Sequence, residues 1–208
     1  EKSKQDTTEI IKTSKKIEDE EVNIGLDIIT KETERLSSMV EELLEFSKIE
    51  AGNLILEKEK FDFIRLIEEI LQIYQGKFSK KNIESKFDYE KKPMIFKGDS
   101  NRLKQVIINI VENAYKFSDY NSNIEITLTE KSKEIVIKIR DFGKGISKKD
   151  LDKVKKKFFK GKSKKSGSGL GLAIANQIVE LHNGKISINS KLNKGTVVKI
   201  TLPKERKE

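Results

Sequence analysis

The chain has 208 residues, with 43 Lys and Arg against 34 Asp and Glu, which gives a formal net charge of +9, and it contains no cysteine. This length predicts one domain, or one domain with an appendage. The absence of cysteine excludes disulfide bonds and thiolate chemistry, and no apolar run approaches the roughly 18 residues that a membrane-spanning helix needs. The lysines are spread along the chain, which is typical of a solvated surface rather than of a polyanion-binding patch.

A heptad repeat predicts a long helix over about residues 18–48. The spacing of its apolar residues alternates between four and three, which is typical of a coiled coil or a helical bundle. A shorter helical segment precedes it, over about residues 6–16, and two such hairpins can complete each other as a four-helix dimer. The alternative is a single helix that packs on its own domain. The apolar heptad positions are Val22, Leu26, Ile29, Leu36, Val40 and Leu43.

The hydrophobic period changes downstream of this helix. Gly52 suits the left-handed C-cap of a helix, and residues 53–60 are predicted as a linker. Helical periodicity then predicts helices over about residues 61–80, 99–117 and 169–182. Alternation with a period of two predicts strands around residues 124–128, 135–139, 186–188 and 198–202, the last closed by Pro203.

The helix predicted over residues 99–117 carries a polar stripe beside its apolar face. At about 100° per residue, Asn109, Asn113 and Lys116 lie on this stripe. Asparagine disfavours a helix interior, but an amide oxygen is a hard ligand that suits magnesium, and a lysine one turn away suits phosphate. Taken alone, the stripe indicates the solvated side of a helix. A nucleotide site is indicated only in combination with two glycine motifs further along the chain.

The first glycine motif, Asp-Phe-Gly-Lys-Gly at residues 141–145, follows a predicted strand. A bare motif of this kind is usually a turn. The functional interpretation is more specific. The Asp141 carboxylate can accept a hydrogen bond from the exocyclic amine of adenine, while Gly143 and Gly145 let the backbone approach a flat base closely.

The second glycine motif opens the helix predicted over residues 169–182. Gly167, Gly169 and Gly171 expose backbone amides at a helix N-terminus, which favours anions. Apolar helical periodicity begins directly after them. The basic segment ahead of them, residues 160–166, is either a disordered loop or a lid whose lysines cover a triphosphate.

In this order and at these spacings, the three segments resemble the N, G1 and G2 boxes of sensor histidine kinases. Residues 34–52, 99–106, 181–185 and 195–203 also resemble segments of that family, so the resemblance covers about residues 18–203. It implies an α+β two-layer sandwich, with helices over a mixed, mostly antiparallel sheet, preceded by a helical-hairpin dimerisation segment. The implied domains are a partial dimerisation hairpin at residues 1–52, a linker at 53–60 and an ATP-binding catalytic domain at 61–208.

The resemblance also implies ATP and Mg²⁺ as cofactors and gives roles to the site residues. By it, Asn113 ligates the magnesium ion, and Asn109 and Lys116 contact the ion or the phosphates. Asp141 would bind the adenine amine. The others would shape the base pocket (Gly143, Gly145, Thr196) or cradle the phosphates (Gly167, Gly169, Gly171). The chain departs from the family at Lys155, where a phenylalanine is usual.

The implied function is that of the cytoplasmic kinase core of a sensor histidine kinase. Such a core is a homodimer through its N-terminal helices and transfers the γ-phosphoryl group of ATP to a histidine, and thence to an aspartate of a response-regulator receiver domain. The parent protein is expected to be anchored in the bacterial membrane. The single histidine, His182, lacks the acidic residue and the proline of the family's acceptor motif. We therefore expect no catalytic residue in this chain, an acceptor upstream of it, and no autophosphorylation by the chain alone.

Two other classes of function stay open. One is a nucleotide-binding dimeric module, or a related ATPase, without histidine phosphotransfer. Related ATPases typically carry a glutamate four residues before the magnesium-binding asparagine, where this chain has Asn109. The other class is a nucleic-acid-binding protein, which the basic charge favours. No interleaving of aromatic and basic residues supports it, so no nucleic-acid partner is expected.

Overall fold

The protein is seen in a computed structural model that describes residues 2–90, 92–151, 153 and 169–204, with side chains from residue 21 onward. Its contacts divide the chain into two compact units, residues 1–45 and 46–208. Within the residues so described, no helix is long and apolar enough to cross a membrane.

The N-terminal unit is helical, and α1 (Lys2–Glu50) is a single helix. The hairpin expected over residues 1–52 is therefore wrong. That expectation placed a break near Ile17, but the neighbouring residues are lysines and glutamate, which propagate a helix, and neither glycine nor proline is present to stop it. The apolar heptad positions of α1 are exposed, from 45% at Leu43 to 64% at Ile29.

The end of α1 lies in the second unit and is formed as the sequence predicts. Gly52 has a φ of +69°, a left-handed conformation that glycine adopts without strain. The Asn53 amide donates to the Lys48 carbonyl at 3.0 Å, which closes the last turn. Phe46 and Ile49 are buried in the hydrophobic core of this second unit, so the compact unit begins before the predicted linker.

Strands and helices alternate irregularly through the rest of the described chain. They are β1 (Glu59–Asp62), α2 (Phe63–Lys80), β2 (Glu84–Tyr89), β3 (Ile95–Gly98), α3 (Ser100–Phe117), β4 (Asn123–Glu130), β5 (Glu134–Asp141), α4 (Lys148–Leu151), α5 (Gly171–Leu181), β6 (Lys185–Lys191) and β7 (Gly195–Pro203).

Five strands form one sheet in the order β2-β4-β5-β7-β6, and β1 pairs with β3 in a separate two-stranded sheet. Strand β2 is parallel to β4, and the other pairs of the large sheet are antiparallel. Cross-strand neighbours Ile126, Ile139 and Val198 share the face on which α2, α3 and α5 pack, whereas Lys138 and Arg140 lie on the open face. This confirms the predicted sandwich of helices over a mixed, mostly antiparallel sheet.

The differences from the predicted elements have local causes. The helix predicted from residue 61 begins at Phe63, because the Asp62 carboxylate accepts from the Ile64 amide at 3.0 Å and caps it. Phe61 lies in β1 instead. Strand β2 was not predicted. It is an edge strand in which only Phe87 and Tyr89 are apolar, and both are half-buried, so its hydrophobic alternation is short.

Candidate nucleotide-binding site

The polar stripe of α3 meets the start of α5. Asn109, Asn113 and Lys116 are half-buried beside the buried apolar face of α3. The Asn109 side-chain amide donates to the Gly171 carbonyl at 3.1 Å. A Cβ at Gly171 would lie 3.4 Å from the Asn109 Cγ, which is ordinary van der Waals contact, so Gly171 and Asn109 are direct neighbours. The structure thus brings the first and third predicted motifs together.

Asn113 and its neighbour Glu112 have different surroundings. Among the described residues, no hydrogen bond of the Asn113 side chain is observed, so its amide is available to a ligand. Glu112 instead faces α2, where it accepts from the Tyr74 hydroxyl at 2.8 Å and from the Lys77 ammonium at 2.9 Å. Burial raises the pKa of Glu112, but these hydrogen bonds outweigh it and hold the pKa below its ordinary value. Glu112 is therefore an ionised structural group and does not face the polar stripe.

Asp141 ends β5 with its carboxyl buried. Register places it opposite Ile124 on one side and Thr196 on the other, on the helix-covered face of the sheet. The Gly143 amide donates to Asp141 Oδ1 at 3.0 Å. Burial raises the pKa of Asp141, and backbone hydrogen bonds, including those from Gly143 and Thr196, oppose that shift. A buried carboxyl of this kind can accept a further hydrogen bond from a ligand.

The turn after Asp141 is held between two backbone segments. A Cβ at Gly143 would lie 2.1 Å from the Phe117 carbonyl oxygen, at the end of α3. A Cβ at Gly145, whose φ is +63°, would lie 2.1 Å from the Lys191 carbonyl oxygen. Both positions therefore exclude any side chain. The sequence indicated that Gly143 and Gly145 let the backbone approach a flat base. In the structure, the protein's own backbone approaches both glycines closely.

Strand β7 contributes the wall opposite Asp141, and two of its contacts were not predicted. Gly195 has a φ of +86°, and a Cβ there would lie 2.0 Å from the Asp141 carbonyl oxygen. The Ser190 hydroxyl in β6 lies 2.9 Å from the Thr196 hydroxyl. A glycine just after a turn was a usable signal for Gly195. Ser190 gave no such signal, because a single serine in a strand is not part of a recognisable sequence motif.

The start of α5 has no side-chain cap. Leu170 is the N-cap residue, and its apolar side chain makes no capping hydrogen bond. Gly169 just before it has a φ of +81°. Gly167 of this motif, the basic segment at residues 160–166 and Lys155 lie outside the described residues.

His182 lies away from these groups at the C-terminus of α5, where it has a structural role. Its Nδ1 is 2.8 Å from the Ile178 carbonyl, and its Nε2 accepts from the Asp99 amide at 3.0 Å. Burial lowers the pKa of His182. The ring is therefore neutral, with its proton on Nδ1, and both nitrogens are bonded. Asp99 in turn caps α3 through the Arg102 amide at 3.0 Å.

A groove at the opposite end of α3 contains none of the predicted site residues. It runs between β1 and the starts of α2 and α3, and its lining includes Arg65, Ile95 and Lys104. The Lys104 ammonium is paired with Glu69 at 2.9 Å. The chemistry of the three motifs therefore lies elsewhere than in this groove.

The family model that matches the chain is described as histidine kinase-, DNA gyrase B-, and HSP90-like ATPase, and it matches residues 98–206. Curated relatives include the sensor protein KdpD of Clostridium acetobutylicum, 38% identical over 183 residues, which are 85% of this chain and 20% of KdpD. The sensor protein SrrB of Staphylococcus aureus is 33% identical over 191 residues, which are 90% of this chain and 33% of SrrB. The chain thus spans between a fifth and a third of the length of these relatives.

Solved structures give the same family. The catalytic domain of histidine kinase ThkA is 32% identical, with a TM-score of 0.65, over 71% of this chain and 96% of that domain. ThkA in complex with the response regulator protein TrrA matches at 31% identity and a TM-score of 0.72, over 86% of this chain and 50% of that one. This chain therefore belongs to the histidine kinase-, DNA gyrase B- and HSP90-like ATPase family, as a sensor histidine kinase ATPase domain.

Proposed function

We propose that the chain binds Mg-ATP between α3, the turn after Asp141 and the start of α5, as the cytoplasmic kinase core of a sensor histidine kinase. One observation carries the proposal: three segments that are distant in sequence contact one another. Asn109 bonds to Gly171, and Gly143 packs on the Phe117 carbonyl. These contacts support a site that would combine a base acceptor, an amide ligand and an anion-favouring helix start.

The buried carboxyl of Asp141 would accept the adenine amine. Gly143, Gly145 and Thr196 would form the walls around the base. At the other end of the site, Asn109 and Lys116 would contact the phosphates or the ion on them. The remaining phosphate contacts would come from backbone amides at Gly167, Gly169 and Gly171.

Asn113 would hold the magnesium ion. Its half-buried amide oxygen is a hard donor with no hydrogen-bond partner among the described residues, which fits a cation. In that same part of the chain, no group of three or more His, Cys, Asp or Glu residues could hold a metal ion. Most ligands would therefore be phosphate oxygens and water, as is usual for Mg²⁺, which when bound neutralises phosphate charge.

Phosphotransfer would go to a histidine other than His182 and then to a response-regulator receiver domain. Support comes from ThkA, which is similar to this chain and is complexed with a response regulator. The exposed heptad stripe of α1 would pair with a second copy. We accordingly assign residues 1–52 to dimerisation, 53–60 to a linker and 61–208 to ATP binding. The parent protein would be anchored in the bacterial membrane, with this part in the cytoplasm.

A second candidate is a nucleotide-binding module without phosphotransfer. It is favoured by the bonded state of the only histidine and by the engagement of Glu112 with α2, which leaves no base on the stripe. Incubation with γ-labelled ATP, a receiver domain and a polypeptide that carries a candidate acceptor histidine distinguishes the two candidates, because only the first passes label to the histidine and on to the receiver domain. Under either of them, this chain alone should stay unlabelled, because His182 is buried and its nitrogens are occupied.

Calorimetry with ATP, with and without Mg²⁺, tests the shared site. We expect binding that Mg²⁺ strengthens, and Asn113→Ala should remove most of that strengthening. Asn101→Ala is the matched control, because Asn101 is exposed at the other end of the same helix. A native chain that does not bind ATP would contradict the proposal. An Asn113→Ala variant with full Mg²⁺ dependence would contradict the role of that residue.

A further inference from the structure

The Ser190 hydroxyl joins three segments at the wall of the site. It accepts from the Ile146 amide at 2.8 Å, which fixes the end of the turn after Asp141. It donates to the Gly195 carbonyl at 2.9 Å. It also lies 2.9 Å from the Thr196 hydroxyl. No motif drew attention to Ser190, yet it contacts both walls around the proposed base position.

Counting protons fixes the direction of the third bond. A serine hydroxyl has one proton and two acceptor lone pairs. The proton goes to the Gly195 carbonyl, which can only accept, and one lone pair takes the Ile146 N–H. The remaining lone pair can bond to Thr196 only if the Thr196 hydroxyl donates. Thr196 then has no proton left for a ligand and presents only lone pairs.

We propose that Ser190 is a specificity-determining residue, because it holds Thr196 as a pure hydrogen-bond acceptor. This inference rests on the proposed nucleotide site. Thr196 is the cross-strand partner of Asp141, so their side chains project from the same face with Cβ atoms about 4.5–5.5 Å apart. Two adjacent acceptors select a ligand group with two donors, which is the 6-amino group of adenine. A 6-oxo purine would place a carbonyl acceptor against the acceptors of both Asp141 and Thr196.

The test compares ATP with its 6-oxo analogue ITP on the 208-residue chain. Affinities are measured by calorimetry for the native chain, Ser190→Ala, Thr196→Val and the double variant. The native chain should prefer ATP. Ser190→Ala frees the Thr196 proton, which can then be donated to the 6-oxo group. The ratio of ITP to ATP dissociation constants should therefore fall about fivefold or more, the size of one buried hydrogen bond.

The other variants test whether Ser190 sets the hydrogen-bonding state of Thr196 or only supports the loop. Thr196→Val should also lower the ratio, and adding Ser190→Ala to it should change the ratio no further. Ser187→Ala is the matched control, because Ser187 is exposed on the opposite face of the same strand, and its ratio should equal the native one.

Two results would overturn the inference while leaving the nucleotide site intact. In one, Ser190→Ala weakens ATP and ITP equally, which is the behaviour of a residue that only holds the loop. In the other, Thr196→Val keeps the native ratio, and that result stands even if Ser190→Ala does not fold. A native chain that binds neither nucleotide would overturn this inference together with the proposed function.

Discussion

Helices α1 and α3 are both amphipathic, but they bury their apolar stripes differently. In α3, Val106, Ile107 and Ile110 are at most 2% exposed, because the sheet and neighbouring helices cover them. In α1, Leu36 and Val40 are 53% and 56% exposed. The same helical period therefore leads to intramolecular burial in one case and to an apolar surface in the other.

This difference separates assembly from nucleotide binding. Burial stabilises by about 25 cal/mol per Å² of apolar surface, and α3 obtains that stabilisation within the chain. Its polar stripe is therefore held in place before any ligand arrives. The stripe of α1 is exposed in the described part of the chain, and association with a second copy would bury it. Changes in the glycine turn should affect stability and binding, whereas changes in α1 should affect assembly alone.

The largest effect on stability is expected at the turn after Asp141, which packs against the end of α3. Gly143→Ala places a methyl group where the Phe117 carbonyl oxygen lies 2.1 Å away, so the backbone must move. We expect the variant to lose about 3 kcal/mol or more of unfolding free energy. It should lose nucleotide binding as well. Urea denaturation measures it.

Gly76→Ala is the control for Gly143→Ala. Gly76 lies in α2, and a Cβ there meets nothing within 4 Å, so the substitution should stabilise by up to about 1 kcal/mol through helix propensity. A Gly143→Ala variant as stable as the native chain would show that the turn is not fixed by this contact.

The next effect concerns the stripe of α1. Leu36→Asp combined with Val40→Asp should convert a dimer into a monomer, because it places charges in an apolar interface. ATP affinity should stay within about twofold of the native value. Light scattering and calorimetry measure the two properties.

Ser38→Asp, on the other side of α1, should leave the dimer intact. A native chain that is monomeric at high concentration would argue against the role of the stripe. A monomeric variant that loses ATP binding would show that assembly and the site are coupled.

A smaller effect is expected from Asp141→Asn. The variant loses a carboxylate acceptor, so ATP should bind about tenfold more weakly or worse. Stability should be unchanged or higher at neutral pH. Burial raises the pKa of Asp141 in the folded chain, so this group favours folding when protonated and that contribution is lost as pH rises.

Asp88→Asn is the matched control, because Asp88 is exposed. It should alter neither the ATP affinity nor the stability. Calorimetry and thermal denaturation measure both. If Asp141→Asn unfolds the chain while sparing the affinity of the folded fraction, Asp141 is structural.

The smallest effect is the pH dependence of His182. Burial lowers the pKa of this ring in the folded chain, so below its ordinary value near 6.5 the unfolded chain binds a proton that the folded chain does not. Its stabilising contribution is complete above that value and is lost as pH falls. The melting temperature should drop by a few degrees between about pH 7.5 and pH 5.5.

His182→Asn should be less stable at pH 7.5 and should show a smaller drop with acid, because residue 182 no longer titrates. Thermal denaturation at both pH values measures this. Equal drops in the two proteins would assign the acid sensitivity to other groups.

Several features of the fold and the site followed from local patterns. The alternation around Ile126, Ile137 and Ile200 predicted the central strands, and helical periodicity over about residues 99–117 predicted α3. Strand β2 escaped prediction because an edge strand needs few apolar residues. The break expected in α1 had no turn residue behind it, and helix propensity prevailed.

The sequence by itself determined the nature of the chemistry, because carboxylate, amide and glycine have fixed capacities to accept, ligate or turn. It placed Asp141, Asn113 and Gly171 in three separate segments. Only the tertiary structure decided that α3 meets the start of α5, that Gly143 and Gly145 pack on backbone carbonyls, and that the Ser190 and Thr196 hydroxyls lie 2.9 Å apart. Such contacts cross strands and helices, so they depend on register and packing, which no local pattern encodes.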